Sequence, residues 1–291
     1  MLLVTWLRYE LKVPQGRVPE VLEKMLGLRI SEGEVQNILD QLASAYGPFY
    51  ESLLMDLRSR MNRGVDESTW RTNGDNGYAW AFVSKWEAIF LLGQTRSHEV
   101  PLAILGKDAK GTITTDGFSA YKTLLRKTQL HQQRCWSHIL ADAKELSEFY
   151  PEEAPPLLEG LKKIYACAAA CKGHGTPADV AALTEALHTL LDRSFKSHKC
   201  ATFARNTRAA APQLFCFVTD PEVEGTNNRT ERAIRGGIVT ARKVSAGSRS
   251  ESGAKTRGVL TSVLQSLRLR GLDILKGAGL NGPGPPPASI G

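Results

Sequence analysis

Between residues 64 and 92 three strand-like runs follow one another with only short turns between them. Gly64–Trp70, Tyr78–Val83 and Ala88–Leu92 are rich in β-branched, aromatic and apolar residues, and Gly74-Asp75-Asn76-Gly77 and Lys85-Trp86-Glu87 supply the turns. An alternation follows. Ser97 to Leu105 predicts a short helix ended by Gly106, and Gly111 to Thr115 a fourth strand closed by Asp116-Gly117. Ser119 to Leu125 reads as a helix, Leu130 to Cys135 as a fifth strand, and Ser137 to Phe149 as a helix.

Three consecutive strands, then helix, strand, helix, strand, helix, is the order expected of an α/β protein with a ribonuclease H-like mixed sheet. Asp66 falls within the first strand and Asp116 at the end of the fourth. In that fold the two strand positions are neighbours on the central sheet. An aspartate inside a strand is poor strand chemistry unless it is paired or metal-bound. The plainer alternative puts both at strand ends in water, and Asp-Gly is itself a turn signal.

The flanks of this core read as helical. Val18, Val21, Leu22, Met25 and Leu26 recur at helical spacing, Gly27 stops that helix, and Ser31 caps a second one carrying Val35, Ile38, Leu39 and Leu42. Two short helices joined in this way fit a helix-turn-helix, although packing alone also requires the apolar stripe. Beyond Pro151, the stripes Leu157, Leu161, Ile164, Ala168 and Val180, Leu183, Leu187, Leu190 predict two more helices, and a third runs through Phe203. A further amphipathic helix is expected from Val259 to Leu269. The predicted organisation is an N-terminal helical, helix-turn-helix-like unit at 1–60 and a catalytic core at 61–149 and 216–246. An all-helical insertion falls at 150–215, a basic helical segment at 247–276 and a disordered Gly/Pro-rich tail at 277–291.

Charge is distributed unevenly. The net charge is +7, yet residues 229–276 alone hold eleven Lys/Arg against three Asp/Glu, a balance of +8. A basic C-terminal third behind a near-neutral body suggests a polyanion surface, most simply nucleic acid; a solvated basic face is the alternative. The five cysteines form no CxxC pair and are odd in number, which argues for a reducing cytoplasm and against a disulfide framework. No apolar run approaches the roughly 20 residues that span a bilayer, so no membrane role is expected.

Within the basic third, Thr226-Asn227-Asn228-Arg229-Thr230-Glu231-Arg232-Ala233-Ile234-Arg235 reads as a helix start with one acid among arginines. Glu231 there can hold a divalent cation while its neighbours hold phosphates. It also fits a capping box with Asn228 and an i,i+4 pair with Arg235.

With Asp66, Asp116 and Glu231 in this order, the chain resembles the DDE transposases of the insertion sequence 66 family. The matching residues are Asp66-Glu67-Ser68 with Trp70-Arg71, Thr115-Asp116-Gly117-Phe118-Ser119-Ala120-Tyr121, and Arg134-Cys135-Trp136-Ser137-His138. They continue through the 226–235 block, Arg242-Lys243-Val244-Ser245-Ala246-Gly247-Ser248-Arg249-Ser250 and Gly253-Ala254. Two departures stand out. Gly236-Gly237 occupies the place where the family usually carries Pro, and most of the family's N-terminal segment is missing ahead of the match, so Met1 reads as an internal start.

The resemblance implies a transposase that cuts and joins DNA with Mg²⁺, or Mn²⁺ in its place. Asp66, Asp116 and Glu231 would be catalytic metal ligands, and Arg229, Arg232, Arg235, Arg242, Lys243 and Arg249 would contact DNA. Implied partners are double-stranded transposon ends and target, accessory transposition proteins and further copies of the chain on DNA, in a bacterial cytoplasm. The chemistry fits, because in-line displacement at phosphorus is served by two metals held by carboxylates. The alternatives are a nuclease or junction resolvase on the same core, or a truncated DNA-binding remnant. Cys135-x-x-His138 is not expected to hold zinc, since two ligands at that spacing need two more.

Overall fold

The computed structural model describes residues 1–273 and 275, so the expected tail at 277–291 lies outside the described residues. Six strands are present among them: β1 (Asn62–Thr72), β2 (Asp75–Val83), β3 (Ala88–Gln94), β4 (Lys110–Thr115), β5 (Gln129–Arg134) and β6 (Gly247–Ser248). They form an open mixed sheet in the order β3-β2-β1-β4-β5, with β6 beside β1. The chain divides into two compact units. One comprises residues 1–60, 65–106 and 229 onward; the other comprises 61–64 and 107–228.

In the first unit the N-terminal helices form where the sequence predicts them. Val18–Leu26 ends at Gly27, whose φ of +69° is the left-handed conformation that glycine adopts at no steric cost. Ser31 and Glu34 close a reciprocal capping box on the helix Glu32–Ala45, and Gly47–Ser59 follows. Val18, Leu22, Val35, Leu39, Leu42, Leu53 and Leu57 are buried, one apolar face from each helix.

The turn between β1 and β2 is tighter than the sequence predicts. It is Asn73-Gly74 alone, with φ of +53° and +87°, and β2 starts at once at Asp75. Two successive left-handed residues are what a two-residue hairpin loop demands, and Asn-Gly meets that demand. β2 and β3 pair antiparallel, Ala81 opposite Phe90 and Val83 opposite Ala88. Trp70, Ala79, Ala81, Ala88 and Phe90 form a buried cluster with Ile234, Ile238 and Ala241 from the segment after residue 229.

The last helix, Glu251–Leu269, begins eight residues before the expected Val259. Its first turns carry small and polar residues, so the apolar stripe used for prediction appears late. Close packing against β3 explains their size: a Cβ on Gly258 would stand 3.0 Å from the Phe90 carbonyl oxygen. Two serines, one and two turns further on, serve the edge strand. The Phe90 and Ala88 N–H groups donate to Ser262 Oγ (2.8 Å) and Ser266 Oγ (2.9 Å). Serines four apart on the helix thus match residues two apart on the strand and cover a sheet edge that would otherwise stand open.

In the second unit the start of β1 pairs parallel with β4, Gly64 opposite Thr114, and β4 pairs parallel with β5, Thr115 opposite Arg134. The helices Pro155–Ala170, Pro177–Leu191 and His198–Ala209 share one apolar core with Trp136–Phe149. Trp136 is fully buried there; its indole N–H donates to the Leu214 carbonyl (2.7 Å), and Tyr165 and Phe215 pack on its ring.

Candidate active site

Asp66 lies inside β1, half-buried, and its Oδ1 accepts the Glu67 N–H (3.0 Å). The adjacent acid is committed elsewhere: Glu67, its side chain 2% exposed, pairs with Arg96 at 2.7 Å, and Arg96 in turn stands over the Tyr78 ring. Two neighbouring carboxylates on one strand therefore differ in environment, which spacing alone does not reveal.

Asp116 follows β4 in the second unit. Its Oδ1 accepts the Phe118 N–H (2.9 Å), the local turn that aspartate favours, and this leads into the helix Ser119–Lys127. Arg134 from the end of β5 lies against Gly117, where a Cβ would fall 2.3 Å from Nη2. Burial lowers the Arg134 pKa, and the charges of Asp116 and then Asp142 oppose that shift. Arg134 enters the resemblance only as part of a motif; its closeness to the aspartate turn follows from the parallel β4–β5 register.

Glu231 sits in the first turn of the helix Asn228–Ile234, half-buried, and belongs with Asp66 to the first unit. Thr230 and Ile234 anchor this helix in the core, which leaves Arg232 and Arg235 exposed on the other side. The chain then widens into a π-turn over Arg235–Val239. Gly237 packs tightly there, a Cβ standing 3.0 Å from Thr261 and 3.3 Å from Phe90. Such bulges recur at functional sites, and this one falls on the Gly236-Gly237 departure.

The other basic candidates divide by environment. Arg229 and Arg242 are half-buried, while Lys243 and Arg249 are exposed. Arg242 Nη1 donates to the Thr69 carbonyl and hydroxyl and to Ser68 Oγ. Arg249, 93% exposed, lies 3.5 Å from Glu32. Some of the remaining positive charge in 229–276 is buried or paired: Arg257 is buried over Tyr9 and Trp70, Arg270 reaches Glu87, and the exposed Arg268 pairs with Glu10. A charge count cannot separate these from surface cations.

Cys135 caps the helix Trp136–Phe149 and is 1% exposed. Its Sγ contacts Ser137 Oγ and accepts the Asn227 N–H, both at 3.0 Å. Burial pushes the thiol up, but hydrogen bonds from His138, Ser137 and the Asn227 N–H together hold it below its ordinary value.

The fold thus carries acids on β1, after β4 and in an arginine-flanked helix. The chain belongs to the transposase IS66 family, whose model matches residues 2–256. A relative, the uncharacterized protein y4qI of Sinorhizobium fredii (strain NBRC 101917 / NGR234), is 27% identical over 184 residues, 57% of this chain and 34% of the relative. The chain thus spans about a third of the length of that curated relative. No helix among the described residues is long and apolar enough to cross a membrane.

Proposed function

We propose that the chain is a transposase that cuts DNA and joins the resulting ends on a ribonuclease H-like core, with Asp66, Asp116 and Glu231 as its metal ligands. The observation that carries this reading is the family match over residues 2–256, which takes in all three acids and the basic block behind them. Double-stranded transposon ends and target DNA are the proposed partners, with accessory transposition proteins and further copies of the chain in the bacterial cytoplasm.

The donor set fits the metal. Asp66, Asp116 and Glu231 offer hard carboxylate oxygens, which Mg²⁺ and Mn²⁺ favour over nitrogen or sulfur. A bound pair of such ions would neutralise charge on the attacking and leaving oxygens of the phosphodiester. The chain's own residues do the positioning. Asp66 Oδ1 and Asp116 Oδ1 each accept a local backbone N–H, which restricts both carboxylates before any substrate arrives. Arg232, Arg235, Lys243 and Arg249 are the exposed cations proposed to hold backbone phosphates, with Arg229 and Arg242 nearer the framework. The domain organisation proposed with this reading keeps 1–60 as a DNA-contacting helical unit and 150–215 as an insertion in the core.

The test is strand transfer with pre-cleaved ends in Mg²⁺. Joining by the wild-type chain, lost in Asp66→Asn and Asp116→Asn with unchanged melting, is the expected result. Cutting without joining would make the chain a nuclease or resolvase, and binding without either would make it a remnant.

A further inference from the structure

Outside the acids, the first unit holds a cavity of about 570 Å³ between the N-terminal helices and the loop that opens the last helix. Three arginines line it, Arg8, Arg249 and Arg257, against a single acid, Glu32. Glu32 stands 3.5 Å from the rim Arg249, and no carboxylate forms an ion pair with either interior arginine among the described residues. Both interior arginines are 5% exposed. Arg8 Nη2 donates to Ser245 Oγ at 2.8 Å and Nη1 to the Val13 carbonyl, whereas Arg8 Nε and Arg257 Nη1 find no hydrogen-bond partner. Arg257 stands over the Tyr9 and Trp70 rings, its Cζ 5.1 and 5.4 Å from their centroids.

Two buried like charges with no ion-pair partner are costly unless something anionic joins them. Burial, reinforced by the charge of Arg257 and only partly offset by those of Tyr9 and Glu32, lowers the Arg8 pKa to about 10. The cavity wall also contains the N-terminus of the 19-residue helix Glu251–Leu269, where the Ser250 side chain already accepts the Gly253 N–H. The positive end of that helix dipole faces the same space, and first-turn N–H groups are natural anion donors. Arg249, 93% exposed, carries the positive wall out to the surface.

We propose that this cavity is a backbone-phosphate site for DNA, in which Arg8, Arg249, Arg257 and the first turn of the helix Glu251–Leu269 take one phosphodiester. The anion chemistry stands by itself; the choice of DNA rests on the transposase reading. A volume of this size admits a nucleotide-sized group, and the exposed rim lets a strand enter without threading. Arg8 stands outside every motif singled out in the sequence, and Arg257 counts there only as one charge of the basic C-terminal third.

The experiment places a fixed negative charge in the cavity without disturbing the fold. Ser250→Asp keeps a good helix cap and adds the charge; Ser250→Asn keeps the cap and adds none. DNA binding is measured by fluorescence anisotropy over a salt series without divalent metal, together with thermal melting. Ser250→Asp should bind DNA at least about tenfold more weakly at ~0.1 M salt, with the salt slope reduced by about one. Its Tm should hold or rise, and Ser250→Asn should not share the loss. Gln15→Glu, an isosteric acid on the same wall, gives a second reading of the same outcome. Millimolar inorganic phosphate should raise the Tm of the wild-type chain, not that of Ser250→Asp, and a short oligonucleotide should compete for it. Unchanged affinity and slope in both acidic variants, or equal loss in Ser250→Asn, would overturn the site. Phosphate binding that DNA does not compete for would reassign it to a free anion. Loss of binding in the acidic variants of a chain that joins no ends would sink the transposase reading alone, and normal binding in them beside normal joining would sink this inference alone.

Discussion

Arg242 Nη1 donates to the Thr69 carbonyl at 2.8 Å and so ties the helix Thr240–Ser245 to β1, three residues beyond Asp66. Its neighbour Lys243 is exposed. Two adjacent cations of one motif are therefore expected to behave differently. Arg242→Ala should cost about 1–2 kcal/mol in urea unfolding, a charge-assisted hydrogen bond discounted for partial exposure. Lys243→Ala should change stability by less than about 0.5 kcal/mol, yet lower the salt slope of DNA binding by about one. A stability loss at Lys243 with none at Arg242 would reverse the assignment.

The serines on the last helix give a second expectation. Ser262→Ala removes the acceptor of the Phe90 N–H, and Ser266→Ala that of the Ala88 N–H, both buried. Each leaves a buried donor unsatisfied at a cost of about 1–3 kcal/mol. Native-state hydrogen exchange should show faster exchange at these two amides first. If exchange there is unchanged while stability falls, the loss comes from helix packing instead.

Glu87 predicts a pH dependence. It is fully buried at the β2–β3 turn and accepts from Arg60 (2.7 Å), Arg270 (3.1 Å) and Ser84. Burial alone would raise its pKa, but the hydrogen bonds of Arg60 and Ser84 and the charges of Arg60 and Arg270 outweigh it, and the net shift is downward. With the folded pKa below the unfolded value near ~4.3, the stabilisation is fully present above that pH. It is lost as pH falls through the folded pKa. Glu87→Gln should cost about 1–3 kcal/mol at neutral pH. It removes the nearer counter-charge of the buried Arg270, which keeps Asp56 at 3.4 Å, and that of the one-third-exposed Arg60. The gap to the wild-type chain should close on acidification below about pH 4. A gap independent of pH would mean that packing, not charge, holds Glu87 in place.

β2 and β3 were legible because they carry apolar runs bounded by turn residues, and the helical caps at Gly27 and Ser31 follow from single residues. The pairing of β6 with β1 was not, since Gly247-Ser248 has no strand pattern of its own and is placed by the loop that carries it. The π-turn at Arg235–Val239 leaves no periodic trace over five residues. The insertion read from 150 to 215 has helices where the stripes put them. Its core nevertheless runs on into Trp136 and Ile139, because an apolar stripe reveals a buried face and not its partner. Among the candidate site residues, position along the chain was readable, whereas environment was not. Arg242 against β1, Arg257 over the Tyr9 and Trp70 rings and Glu67 paired with Arg96 are set by residues far away in sequence.

Glu231 is where two chemical roles separate most sharply. It stands in the first turn of the helix Asn228–Ile234, with Arg232 and Arg235 exposed beside it. If it serves the helix end, Glu231→Gln should be nearly silent, because the amide oxygen still accepts a hydrogen bond. Loss of its interaction with the dipole and with Arg235 would then cost at most a few tenths of a kcal/mol. If it holds a metal, the same change leaves a neutral oxygen where a hard cation favours carboxylate. Strand transfer should then fall by orders of magnitude while Tm and DNA affinity stay close to wild type. Glu231→Asp should fail as well, since a side chain one methylene shorter withdraws the carboxylate by about 1 Å from a geometry with little tolerance. Strand transfer and thermal unfolding measured on one preparation of Glu231→Gln decide between the two. Wild-type joining in that variant would remove Glu231 from the metal set, and the two aspartates would then need another third ligand.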